Sequence, residues 1–290
     1  MSSAPLPPPA PTAAVDRESS RWAWRESRSP EPHGTIVLLH GLGGSRISWE
    51  PQLTGLSSDH LVVAWDLPGY GAAPPPDAPL TFAWLAAAVA AFVDEVAVPD
   101  RPVHLVGISF GGMIAQYAAA AHPAPFASLT LLATSPKFGL DGTLPDEWRA
   151  ARLAPLDAGQ EPVDFADAVL GHLAGPAITA EALNGQRAAM ARITGAALRR
   201  SIDCLITHDS RALLASIRTP TLCLVGALDD ETPIAYSEAI AGSIRDAELV
   251  VIPGAGHLLN VEAPEAVNIA ITAHVARRRV DVDTENRSTP

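Results

Sequence analysis

Residues 103–120 constrain this chain more than any other stretch. The apolar run Val103-His104-Leu105-Val106 passes through Gly107-Ile108-Ser109-Phe110-Gly111-Gly112 into the helix-forming Met113-Ile114-Ala115-Gln116-Tyr117-Ala118-Ala119-Ala120. That order predicts a strand, a tight turn and a helix, with a serine at the apex. So sharp a turn leaves no room for side chains beside the serine, which accounts for Gly107 and Gly111. Ser109 would then project at a helix N-terminus. There the free N–H groups and the positive end of the helix dipole favour a negative oxygen forming beside it.

A serine that transfers acyl groups needs a base, an acid to orient that base, and backbone donors for the oxyanion, all at one end of a sheet. Candidates for each follow predicted strands. His40-Gly41-Leu42-Gly43-Gly44 follows the apolar run 35–39, and its glycine-rich turn can aim N–H groups inward. The N–H groups of Leu42 and Phe110 are therefore the expected oxyanion pair. The acid follows the run 221–225, within Gly226-Ala227-Leu228-Asp229-Asp230-Glu231-Thr232-Pro233. Asp229 is favoured by its spacing to Gly226 and Pro233, with Asp230 as the adjacent alternative. The base follows the run 248–252, as His257 in Pro253-Gly254-Ala255-Gly256-His257-Leu258.

Apolar runs of strand length alternate with helical segments, the pattern of a mostly parallel sheet covered on both faces. Strands are expected near residues 22–25, 35–39, 61–65, 103–106, 129–133, 221–225 and 248–252, with helices at 82–96, 113–121 and 264–277 between or after them. The alternation breaks between about 136 and 216, where only short helical segments are visible, near 145–153, 162–173, 179–193 and 196–206. The domain reading is a core of residues 21–135 and 217–276, a helical segment at 136–216, and disordered tails at 1–20 and 277–290.

With these motifs in place, the chain resembles the α/β-hydrolase fold family over residues 22–276. His40-Gly41-Leu42-Gly43 is similar to the family's oxyanion loop, Asp66-Leu67-Pro68-Gly69-Tyr70-Gly71 to its next turn, and Gly107–Gly112 to its nucleophile elbow. Gly226-x-x-Asp229-x-x-x-Pro233 and Gly256-His257 are similar to its acid and histidine loops. The order Ser109, Asp229, His257 is the family order. The resemblance implies a helical cap at 136–216, inserted after the expected strand 129–133, the sixth strand of the family's sheet, and closing over Ser109. Phe138, Trp148 and Leu258 are the expected substrate contacts, with Leu153, Phe165 and Leu170 as further apolar positions of the cap. A serine nucleophile argues against the epoxide hydrolase and haloalkane dehalogenase branches.

The implied chemistry is hydrolysis through an acyl-enzyme, requiring no metal or organic cofactor. The strings 107–116 and 256–264 are most similar to the 3-oxoadipate enol-lactonase and small carboxylesterase branch. The small-molecule substrate is thus an ester or enol-lactone. A diketone is the alternative, although Ile108 and Leu258 stand where C–C bond hydrolases usually carry asparagine and tryptophan. Cofactor-free haloperoxidase activity ranks below these, and a small-molecule receptor with slow or no turnover is the alternative of another class. An acidic substrate would require one of Arg149, Arg152, Arg187 or Arg192 to face Ser109. Among the remaining histidines, His40 is expected to bond within its loop, His104 to be core, and His172 and His208 to be surface or structural.

Composition excludes other classes. A net charge of −12 with 18% charged residues provides no clustered basic face for nucleic acid. Arg277-Arg278-Arg279 beside Asp281, Asp283 and Glu285 is a solvated helix end. Two cysteines, Cys204 and Cys223, form no disulfide framework. Residues 1–20 lack the basic start and continuous apolar core of a secretory signal, and no apolar run approaches a membrane span. The expectation is a cytoplasmic monomer or homodimer with no membrane partner.

Overall fold

The computed structural model describes residues 12–287, with side chains described as far as Arg277. The expectations for residues 1–11 and 288–290 lie outside the described residues. One eight-stranded sheet forms the centre. It is built from β1 (Val15–Glu18), β2 (Ala23–Arg28), β3 (Thr35–Leu39), β4 (Leu61–Trp65), β5 (Val103–Ile108), β6 (Phe126–Leu132), β7 (Thr221–Gly226) and β8 (Glu248–Ile252). Their spatial order is β1-β2-β4-β3-β5-β6-β7-β8. The β1–β2 and β2–β4 pairs are antiparallel and every other pair is parallel.

Alternate residues of the central strands feed two separate cores. Val37 and Leu39, Val63 and Trp65, and Leu105 belong to one. Ile36 and Leu38, Val62 and Ala64, and Val106 belong to the other. This is period-two alternation with both faces apolar, so the strands read as continuous hydrophobic runs. The first face is covered by α2 (Phe82–Val96), α3 (Phe110–Ala121) and α9 (Ile234–Ser243), through residues such as Leu85, Phe92, Ile114 and Ile240. The second is covered by α1 (Glu50–Gly55), α10 (Leu259–Glu262) and α11 (Pro264–Arg287), through Leu53, Leu259, Val267 and Ile271.

Between β6 and β7 the chain adds α4 (Pro145–Asp157), α5 (Ala166–Leu173), α6 (Ala180–Met190), α7 (Gly195–Leu205) and α8 (Arg211–Leu214). Their starts follow from local chemistry. Pro145 occupies the first turn of α4, and the Thr179 and Thr194 hydroxyls accept from Ala182 N–H and Ala197 N–H at 3.1 and 3.2 Å. Arg192 ties this insertion to the core, its guanidinium 3.4 Å from the buried Asp66 carboxylate while its carbonyl accepts from Gly71 N–H.

Two expectations about the tails are corrected. Residues 15–18 form β1, where disorder was expected. All four are exposed, and charged cross-strand pairs hold them: Arg17–Glu26 at 3.1 Å and Arg25–Asp16 at 3.0 Å. No apolar alternation advertises such an edge strand. At the other end, helix α11 continues to Arg287 instead of fraying at residue 277. Arg277 anchors its side of that helix to β8 by donating to both carboxylate oxygens of Glu248 at 2.9 Å. Among the described residues, no helix is long and apolar enough to cross a membrane.

Candidate active site

Register brings the key loops to one edge of the sheet. Leu39 pairs with Gly107, Gly107 with Leu131, Leu131 with Cys223, and Cys223 with Leu249. The loops leaving β3, β5, β7 and β8 therefore emerge side by side at the carboxyl ends, where open α/β sheets take their ligands.

Ser109 joins β5 to α3 with φ 53° and ψ −119°, a conformation a side-chain-bearing residue adopts only under constraint. Packing supplies that constraint. A Cβ on Gly107 would fall 2.4 Å from the Gly111 carbonyl oxygen, and one on Gly111 would fall 2.1 Å from that of Leu39. Gly41 lies alongside, since a Cβ there would stand 3.2 Å from Ser109 Cβ. His40 fixes this neighbouring loop: its Nε2 accepts from Leu67 N–H at 3.0 Å, which assigns the proton to Nδ1, 2.8 Å from the Gly41 carbonyl. Burial lowers the His40 pKa despite the Gly41 carbonyl and Asp66, so the ring is neutral.

Asp229 and His257 meet below the same edge. His257 Nδ1 lies 3.1 Å from both Asp229 oxygens. Asp229 is further held by Glu231 N–H at 3.0 Å, Thr232 N–H at 2.8 Å and the Thr232 hydroxyl at 2.8 Å. Burial is the largest influence on both groups and opposes charge on each. The mutual attraction and hydrogen bonding outweigh it, so the Asp229 pKa is lowered and the His257 pKa is raised, with Glu231 and Glu262 adding to the latter. Asp230, the alternative acid, lines the cavity above instead of meeting the imidazole.

Ser109, His257, Leu42 and the three expected contacts Phe138, Trp148 and Leu258 all line one cavity of about 360 Å³. Phe110 is absent from that lining: its ring is buried against Phe82 at 5.8 Å, and as the first residue of α3 its N–H lies outside the intrahelical ladder. Phe138 and Trp148 pack edge to face at 5.2 Å, and the Arg152 guanidinium sits 5.0 Å from the Trp148 ring centroid. Leu170 also reaches the cavity, whereas Leu153 and Phe165 pack into the hydrophobic clusters. Of the four arginines, Arg149 pairs with Asp203, Arg187 with Asp167 and Arg192 with Asp66, while Arg152 faces the cavity. Its carboxylate neighbour is Glu231, 3.7 Å away, which also lies 3.4 Å from His172. His172, expected at the surface or in a structural role, lines the cavity through that contact, although its side chain remains 62% exposed. His208 is structural, with Nε2 2.8 Å from the Ser135 carbonyl, and burial pushes its pKa down to about 4.

Sequence reasoning missed Thr232 and Glu262. A hydroxyl three residues after an aspartate is a signal for the first, since it closes a turn on the carboxylate. The second lies in the quoted string 256–264, but its role depends on α10 folding back beneath the histidine loop. Among the described residues no group of three or more His, Cys, Asp or Glu side chains could hold a metal ion.

The chain matches the model of the alpha/beta hydrolase family over residues 36–270 and belongs to that family. It is 35% identical over 238 residues to the pimeloyl-[acyl-carrier protein] methyl ester esterase of Chromobacterium violaceum, covering 77% of this chain and 86% of that protein. It is 26% identical over 247 residues to 3-oxoadipate enol-lactonase 2 of Acinetobacter baylyi, covering 83% and 88%. Among solved structures, a hydrolase from Pseudomonas aeruginosa superimposes with a TM-score of 0.77 at 28% identity, covering 90% of this chain and 98% of that one. The architecture is thus the α/β-hydrolase fold that the motifs led one to expect.

Proposed function

We propose that this chain is a serine hydrolase that cleaves a carboxylic ester or enol-lactone of a small molecule through an acyl-enzyme. The observation that carries the reading is Ser109, held in a strained turn at a helix N-terminus, sharing a cavity with a His257 whose Nδ1 is committed to Asp229. That commitment leaves Nε2 to take the Ser109 proton as Oγ attacks the acyl carbon. The N–H groups of Leu42 and Phe110 stabilise the tetrahedral oxyanion, each contributing on the order of 10²- to 10³-fold in rate. His257 then protonates the leaving oxygen, and a water deprotonated by the same nitrogen releases the acid. Asp229 holds the imidazole tautomer and supports its charge. The relatives' names, a methyl ester esterase and an enol-lactonase, both describe acyl–oxygen cleavage.

A fluorophosphonate, which mimics the tetrahedral oxyanion, is expected to label Ser109 stoichiometrically and abolish turnover of p-nitrophenyl acetate. Turnover that survives complete labelling overturns the reading, and labelling without any turnover favours ligand capture. The pH dependence has a worked sign. Catalysis needs neutral His257, whose pKa is raised above the ordinary value of 6.5, chiefly by Asp229 acting against burial. The acid limb of kcat/KM should therefore fall off at a pH above 6.5. A pH–rate profile with its acid midpoint below that value contradicts the assignment.

A further inference from the structure

The histidine loop leaves β8 after Ile252 and must hold His257 without a strand beneath it. Leu228 N–H bonds the Ala255 carbonyl at 2.9 Å on one side of the loop. On the other side, a single carboxylate takes both peptide N–H groups that flank the histidine. Glu262 Oε2 accepts from Gly256 N–H at 2.7 Å, and Oε1 accepts from Leu258 N–H at 3.0 Å. Glu262 is 8% exposed, at the last position of α10. What covers it comes from the insertion between β6 and β7. A Cβ on Gly175 would fall 2.3 Å from Glu262 Oε2 and 2.6 Å from Gly256 N, and one on Gly256 would fall 2.8 Å from Gly175 N. Backbone of the α5–α6 connection thus rests directly on the carboxylate and on the residue before His257.

We propose that Glu262 is a positioning residue that sets His257 for proton transfer, and that the helical insertion is coupled to the base by seating Gly175 on this carboxylate. The inference rests on the reading of His257 as the general base. Its physical content is the double acceptor. A carboxylate offers an oxygen to each N–H, whereas an amide offers one oxygen and turns an N–H donor toward the other peptide, leaving a buried donor unpaired. The loop must then rotate or lift, and a displacement of about 1 Å in a reacting group can cost about 10²-fold in rate.

Charge provides a second readout. His257 is acted on by Asp229 and Glu231 from the β7–α9 loop and by Glu262 from α10, while Asp230 of that loop and Lys137, Asp141, Arg152 and His172 of the β6–β7 segment line the same cavity. Glu262 is one of the carboxylates that raise the His257 pKa, so its neutralisation moves the acid limb of the rate profile toward lower pH. Gly175→Ala keeps that charge and disturbs only the seating, so it should lower the rate without that movement.

The test compares wild type, Glu262→Gln, Gly175→Ala, their double variant and Ser109→Ala on p-nitrophenyl acetate, with a thermal melt of each. Expected is a fall in kcat of about 10- to 100-fold for each of the first two variants. KM should stay within about twofold, and the double variant should be no worse than the poorer single one, because both act through one contact. A folded Glu262→Gln enzyme with wild-type kcat and an unmoved acid limb overturns the proposal, as do fully multiplicative losses in the double variant. Should Glu262→Gln fail to fold, Gly175→Ala decides alone, and wild-type kcat in that variant overturns the coupling. If Ser109→Ala retains wild-type hydrolysis, the reading of the whole site falls and this proposal with it. If Ser109→Ala loses nearly all activity while folded Glu262→Gln keeps wild-type kcat and an unmoved acid limb, only the proposal falls.

Discussion

Ser109→Ala is expected to lower kcat for p-nitrophenyl acetate by about 10⁵-fold or more, with a melting temperature within about 2 °C of wild type. The chemistry sets the size of the loss. Removing Oγ deletes the covalent route, and water would have to attack from the same place without an acyl-enzyme. Activity should not vanish. The proposed donors, the N–H groups of Leu42 and Phe110, and the His257–Asp229 pair remain, and such remnants leave roughly 10³- to 10⁴-fold over uncatalysed hydrolysis. Stability is spared because alanine keeps the Cβ, so the backbone at φ 53° and ψ −119° is equally strained in both proteins. Ser109→Gly separates the two effects. It should be as inactive as the alanine variant yet more stable, by about 1 kcal/mol after the extra freedom of glycine in the unfolded chain is counted. Steady-state kinetics with a thermal melt read both. More than a tenth of wild-type activity in freshly purified Ser109→Ala protein would rule out Ser109 as the nucleophile.

Much of the candidate site was legible in the chain because its requirements are local. A serine between Gly107 and Gly111, a glycine-rich loop after one strand, and an aspartate and a histidine after two others are each defined within about ten residues. Register then carries them to one edge, since parallel strands joined by crossover helices must end together. What was not legible depends on distant partners. Trp148 was expected at the cavity from the sequence, but which of the four candidate arginines joins it there was not, because only the packing of α4 over the core turns the face that Trp148 shares with Arg152 toward Ser109. Arg149 and Arg187, equally cationic in sequence, pair with Asp203 and Asp167 instead. Glu262 lies in the string 256–264, but its role appears only once α10 turns it under Gly256 and Leu258. The strand β1 escaped notice for the opposite reason: its four residues are exposed and its stabilising pairs are ionic, so hydrophobic periodicity carries no trace of it.

Gly111→Ala is expected to destabilise the fold by more than about 4 kcal/mol, a large part of the 5–15 kcal/mol that holds a typical domain together. The reason is contact, not backbone freedom. The new methyl would stand 2.1 Å from the Leu39 carbonyl oxygen and 2.6 Å from that of His40. Both are backbone atoms at the end of β3, so no side-chain rotation can relieve the overlap. The first turn of α3 would have to lift off β3, widening the gap between Ser109 and the Gly41–Leu42 loop on which the proposed oxyanion stabilisation depends. Loss of stability and loss of activity should therefore appear together. Gly171→Ala in α5 and Gly185→Ala in α6 provide the internal control. A Cβ at either position meets nothing within 4 Å, so each should stabilise the protein by about 0.5–1 kcal/mol through helix propensity. Urea unfolding of the three variants beside wild type measures the contrast. Should Gly111→Ala unfold at the wild-type denaturant concentration, the close approach of α3 to β3 would be wrong, and with it the mechanical origin of the Ser109 turn.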